Sequence, residues 1–161
     1  MTKLLHFEDL KVKDCWKSPS RVVSRDDVHG FAELTGDFNP LHVDAEFAKE
    51  TPFGRPIAHG LLGLSFVAGL SSHYPLMNTA AFLSVSEWKF LKPVYYGDSV
   101  HVVTEVIGLE PKGRKRGSVQ WRRSLVNSRG EVVQQGKFET LVCCKAVQKS
   151  EPAPALRLQS A

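Results

Sequence analysis

The stretch Leu61–Leu70 constrains this chain more than any other, because it is of helical length and carries no charged side chain. A helix that is apolar all round has to be buried, so another layer must be laid over it. The strands that can form that layer lie downstream: Phe82 to Phe90, Ser99 to Leu109, Gly117 to Val126 and Glu131 to Cys144. Gly, Pro, Asn and Asp turn signals separate them, and Asn127-Ser128-Arg129-Gly130 suits a hairpin. Upstream, Ser18 to Val23 reads as a short strand. Ser24 with Asp27 predicts a capped helix through about Leu34, and Asp44 to Lys49 predicts a second short helix. A buried helix with consecutive antiparallel strands is an α+β arrangement. At 161 residues the chain makes about one domain with one core.

A second feature bears on chemistry. In Gly36-Asp37-Phe38-Asn39-Pro40-Leu41-His42, a spacing of five places Asp37 and His42 on different faces of either a helix or a strand. Only a bend lets them converge. Pro40 supplies one, since it lacks an amide hydrogen and drives Asn39 out of the α region, while Gly36 and Asn39 favour turns themselves. A carboxylate, an amide and an imidazole facing one spot could hold and activate a water. The same residues are also the ordinary vocabulary of surface turns. What favours a site is the next segment, Pro52-Phe53-Gly54-Arg55-Pro56-Ile57-Ala58-His59-Gly60, which runs directly into the apolar helix.

The motif Gly36–His42, then Phe53-Gly54 and Ile57-Ala58-His59-Gly60-Leu61-Leu62, closely resembles the (R)-specific enoyl-CoA hydratases of the MaoC-like hot-dog family. Phe31-Ala32-Glu33-Leu34-Thr35 resembles the helix that leads into the family's motif. Phe90-Leu91-Lys92-Pro93-Val94-Tyr95-Tyr96-Gly97-Asp98 resembles its strand-turn signature. The likeness covers roughly residues 15 to 145. It implies a single hot-dog fold, an antiparallel sheet wrapped around a long central helix, over residues 1–145. Residues 146–161, with Pro152 and Pro154, are expected to form a disordered tail.

The resemblance also implies an activity, the reversible addition of water to a trans-2-enoyl thioester of CoA or acyl carrier protein to give a (3R)-hydroxyacyl thioester. Asp37 and His42 match the family's catalytic pair, Asn39 its water-holding amide, and Gly60 the residue whose backbone amide faces the thioester oxygen. Physical chemistry agrees on Gly60, because an amide at a helix N-terminus lacks an intrahelical partner and sits at the positive end of the dipole. The simpler alternative is that Gly60 only eases the chain into the helix. His59 reads as a structural hydrogen-bonding residue rather than a catalyst.

The remaining signals bound the alternatives. Lys112, Arg114, Lys115 and Arg116 make a basic loop, and the net charge is +4. Such a loop is a substrate-binding anchor for the phosphates of the thioester carrier, a nucleic-acid contact, or a solvated hairpin tip. Trp16, Trp88 and Trp121 form no stacking cluster of RNA-binding type, which argues against nucleic acid. No P-loop or dinucleotide glycine pattern occurs and the six histidines show no zinc spacing, so neither metal nor cofactor is expected. A hot-dog thioesterase would be expected to carry Asp or Glu on the central helix, and none lies between Gly60 and Leu83. A non-catalytic binding module would not need Asp37, Asn39 and His42. The N-terminus meets polar residues too early for a signal peptide, the apolar stretch is too short to cross a bilayer, and Cys15, Cys143 and Cys144 suggest no disulfide framework. Together these predict a cytoplasmic protein that acts without a membrane. The sheet edge of a single hot-dog unit predicts a homodimer.

Overall fold

Proline has no amide hydrogen to give a ladder, and Pro19 accordingly splits the expected Ser18–Val23 strand. In its place are β1 (Cys15–Lys17) and β2 (Arg21–Val22), both antiparallel to β4 (Ser99–Lys112). Ser18 bridges the break: its amide donates to the Val102 carbonyl and its Oγ accepts from the Val102 amide, each at 2.9 Å. The computed structural model describes residues 3–146. The expected tail, 146–161, therefore lies outside the described residues except for Ala146.

Ser24 and Asp27 cap α1 (Arg25–Thr35) reciprocally. The Asp27 amide donates to Ser24 Oγ at 3.0 Å and the Ser24 amide donates to Asp27 Oδ2 at 2.9 Å. The helix stops at Gly36, whose φ of 78° is the left-handed conformation that glycine adopts at least cost. Two short helices follow, α2 (Pro40–Val43) and α3 (Ala45–Lys49), then α4 (Gly60–Ser71). β3 (Thr79–Phe90), β4, β5 (Arg116–Asn127) and β6 (Val132–Cys143) make up the rest. The sheet order is β1-β4-β5-β6-β3, all antiparallel, with β2 beside β1 on β4. Strands alternate inward and outward, and Val102, Val106, Trp121 and Phe138 are almost wholly buried against Val67 and Leu62 of α4. Cys144 falls just beyond β6 rather than within it, and all three cysteines are free thiols.

The alternation divides Arg122 from Arg123. Arg122 faces outward and pairs with Glu105 at 2.9 Å. Arg123 is buried with its guanidinium 4.5 Å from the centre of the Phe138 ring, and burial pulls its pKa down to about 10. Trp121 lies in the core and donates from Nε1 to Thr140 Oγ1 at 2.8 Å, as a buried indole requires.

One expectation needs correction: α4 is not covered on every side. Leu62, Gly63, Val67 and Ser71 are buried against the sheet, while Leu61, Ser65, Ala68 and Gly69 form an uncovered, uncharged face. One sheet layer can cover only one face of a helix. β3 is open in the same way, as an outermost strand that exposes Phe82, Leu83, Val85 and Phe90. No helix among the described residues is long and apolar enough to cross a membrane.

Candidate active site

The bend between α1 and α2 is built as the Asp-Phe-Asn-Pro order suggests. The Asn39 amide donates to Asp37 Oδ1 at 3.3 Å, and Asn39 Oδ1 caps α2 by accepting from the Leu41 amide at 3.0 Å. Asn39 spends its oxygen on the cap and keeps its side-chain NH₂ free to donate. His42 ends the turn half-buried, and Asp37 remains exposed.

His59, immediately before α4, closes the site from the other side. It is 2% exposed, and its Nε2 lies 2.9 Å from the Asp37 carbonyl oxygen and 3.8 Å from Asp37 Oδ2. Its ring lies over His42 with centroids 3.9 Å apart and packs at a tilt against Phe31 at 5.1 Å. His42 Nδ1 in turn lies 2.8 Å from the Ile57 carbonyl. A carbonyl can only accept, so Nδ1 of His42 and Nε2 of His59 each carry the proton. His42 Nε2 is then the nitrogen that carries the lone pair, and the Asp37 charge acts on this ring. Burial is the main influence on His42 and lowers its pKa; the Ile57 bond and the Asp37 charge oppose this only in part, so the imidazole is neutral at pH 7.

One donor atom each of Asp37, His42 and His59 lie within 4.8 Å of one another, which among the described residues is also the one cluster with a donor set for a metal ion. Each imidazole gives one N–H to a carbonyl and keeps its other ring nitrogen as a lone pair.

The site opens onto a cavity of about 400 Å³ lined by His42, Gly60, Phe90, Lys92 and Gln134 among others. At Gly60 an added Cβ would lie 2.8 Å from Phe90 Cε1, so a side chain at position 60 would require this exposed ring to move, whatever role the Gly60 amide has. Gln134 forms the floor. It is 3% exposed, donates to the Gly60 carbonyl at 3.1 Å and accepts from Trp88 Nε1 at 3.3 Å. Lys92, at the rim, pairs with Glu131 at 2.5 Å; hydrogen bonds from Asn127, Lys92 and Arg129 hold that carboxyl down at about 2.

Asp37, Asn39, His42 and the α4 N-terminus at Gly60 therefore come together. Lys112, Arg114, Lys115 and Arg116 do not join them within one chain. They form the β4–β5 hairpin turn, next to Cys143 on β6. From Gln134 to Cys143 is nine residues, about 30 Å at the usual strand rise. Sequence reasoning gave no site role to Tyr96, whose hydroxyl donates to the His42 carbonyl, or to Phe90, Lys92 and Gln134. Phe90, Lys92 and Tyr96 belong to the strand-turn signature, which assigns none of them a role, and Gln134 is marked by no local pattern, since its register with Phe90 brings it to the site.

Comparison with known proteins identifies the family and the fold. The family model described as MaoC like domain matches residues 11–127. A 3-hydroxybutyryl-CoA dehydratase of Methylorubrum extorquens is 41% identical over 116 residues, 70% of this chain and 71% of that protein. An (R)-specific enoyl-CoA hydratase of Rhodospirillum rubrum is 33% identical over 140 residues, 86% of this chain and 92% of that protein. For the fold, a Mycobacterium tuberculosis protein with a double hot-dog fold superposes with TM-score 0.78 at 21% identity, over 92% of this chain and 46% of that one. The antiparallel sheet around α4 is one such hot-dog unit.

Proposed function

Because this chain belongs to the MaoC-like family, we propose that it adds water reversibly to the double bond of a trans-2-enoyl thioester, giving the (3R)-hydroxyacyl thioester. It is an enzyme of the hydro-lyase kind. The observation that carries the reading is the Nδ1–H of His42 bound to the Ile57 carbonyl, which leaves Nε2 free as a base on a ring that lines the cavity and has a donor atom within 4.8 Å of one of Asp37.

In the hydration direction one water is held between Asp37, His42 Nε2 and the Asn39 NH₂. As its oxygen bonds to C3 of the enoyl chain, its proton passes to the Asp37–His42 pair, which returns a proton to C2. The negative charge that builds on the thioester oxygen in between is met by the Gly60 amide at the start of α4. Each acid-base role is worth roughly 10²–10⁴ in rate. Dehydration runs through the same groups in reverse. The carrier is coenzyme A or acyl carrier protein, the enzyme works as a homodimer in the cytoplasm, and neither metal nor cofactor takes part.

Purified protein with crotonyl-CoA tests this directly: the enoyl-thioester absorbance should fall, unaffected by chelator, and the product should be only the (3R) epimer. Release of free CoA without hydration would assign the site to thioester hydrolysis instead.

A further inference from the structure

The proposed mechanism places the donor to the thioester oxygen on a lightly held piece of backbone. Gly60 is the first residue of α4, and glycine is the residue whose backbone is least restrained. His59 before it makes no side-chain cap, and the bond from the Gly63 amide to the His59 carbonyl is 3.3 Å long. A first turn of this kind is prone to fray. A donor that meets developing charge has to be fixed beforehand, because its effect is lost when it must reorganise during the reaction.

Gln134 supplies a restraint from β6. Its Nε2 donates to the Gly60 carbonyl at 3.1 Å and its Oε1 accepts from Trp88 Nε1 at 3.3 Å. An indole N–H can only donate and a carbonyl can only accept, so these two bonds fix which end of the amide faces which neighbour. Two glycines leave the space that the link occupies. A Cβ at Gly63 would lie 2.2 Å from Gln134 Nε2, and one at Gly136 would lie 2.6 Å from Trp88 Cε3. Trp88 sits at an irregularity of β3, where the register shifts between Ser86 and Lys89 and Glu87 takes a φ of 52°, a conformation that is costly for a residue other than glycine.

We infer that Gln134 is a positioning residue for the reaction: held by Trp88, it anchors Gly60 through its carbonyl and so keeps the Gly60 amide aimed at the thioester oxygen. This rests on the proposed hydratase activity. Gln134 acts here without touching the reacting atoms. The oxyanion site is then shared between the start of α4 and the paired strands β3 and β6, which hold Trp88 and Gln134.

Q134L removes both hydrogen bonds and nearly keeps the volume. It should lower kcat about 10- to 100-fold, less than the roughly 10²–10³ for outright loss of an oxyanion donor, and leave KM within about twofold. Butyryl-CoA, a saturated thioester that cannot react, gives a second readout when isotope-labelled at the carbonyl. On binding to wild type its C=O stretch should move to lower frequency, and in Q134L most of that shift should be lost. Q134E adds a pH signature. A protonated carboxyl at this position can donate to Gly60 and accept from Trp88, a carboxylate cannot donate, and burial raises the pKa that separates them. The activity of Q134E relative to wild type should therefore be highest in acid and fall as pH rises through that pKa. W88F should lower kcat in the same direction, and W88F/Q134L should be no slower than Q134L, since Trp88 acts through Gln134.

Wild-type kcat in folded Q134L, an unchanged carbonyl stretch, or a Q134E profile parallel to that of wild type would overturn the inference. Should Q134L not fold, Q134E and W88F decide by the same readouts. If the wild-type protein does not hydrate crotonyl-CoA, the activity reading fails by itself, and Gln134 is then judged on the substrate-free backbone. Nitrogen relaxation should show Gly60 ordered in wild type and mobile in Q134L, and equal order in both would overturn the anchoring role.

Discussion

The rings of His42 and His59 lie one over the other with centroids 3.9 Å apart, yet they donate through different ring nitrogens to different carbonyls, Nδ1 of His42 to Ile57 and Nε2 of His59 to Asp37. The result is a division of labour between neighbours of one residue type. His59 is buried and ties the Asp37 loop to the start of α4, while His42 lines the cavity and keeps its Nε2 unprotonated. Tyr96 holds the same turn from below through the His42 carbonyl.

Substitution of the pair tests their roles. D37N and H42A should each lower kcat by about 10²–10⁴ and leave the thermal midpoint within a few degrees of wild type, since neither side chain is part of the core. Single-turnover rates with thermal unfolding of the same samples decide this, and wild-type rates in either folded variant would remove that residue from the mechanism.

The state of His42 gives a pH signature. Burial favours the neutral imidazole, so its pKa lies below the usual 6.5 and the base form dominates through neutral pH. Activity should therefore be level near pH 7 and fall only as pH drops through that lowered value. The Asp37 charge favours the imidazolium, so D37N should move the His42 titration lower still; NMR of the ring protons measures both shifts.

Two glycines on α4 should respond differently to alanine. At Gly60 the new methyl meets Phe90, an exposed ring that can swing aside, so the protein should fold normally with a disturbed cavity and a raised KM. At Gly63 it meets Gln134 at 2.2 Å, a buried side chain held by Gly60 and Trp88. That overpacking should cost roughly 1–3 kcal/mol of stability. Denaturant unfolding of both variants separates the two outcomes.

The uncovered face of α4 and the open edge of β3 predict association. Light scattering should give at least a dimer mass, and V85E, which puts a charge at the middle of the exposed strand, should shift it toward monomer. A monomeric wild-type mass at assay concentration would contradict the prediction.

Much of this protein was legible from local pattern. The Ser24 and Asp27 cap, the bend made by Asn39 and Pro40, the apolar helix from Gly60 and the order of the long strands all depend on residues close together in the chain, where backbone sterics and side-chain periodicity act directly. The family motif then pointed to Asp37 and His42. Only the tertiary structure decided what surrounds them. The proton on His42 Nδ1 follows from the Ile57 carbonyl 15 residues away, the floor at Gln134 from a strand 74 residues beyond Gly60, and the remoteness of the basic hairpin from the register of β6 with β5. Such placements belong to pairs of segments brought together by burial, and no segment carries them in its own sequence. The same reason explains why α4 looked fully buried: local hydrophobicity says that a face must be covered, while the reach of one sheet decides how much of it a single chain can cover.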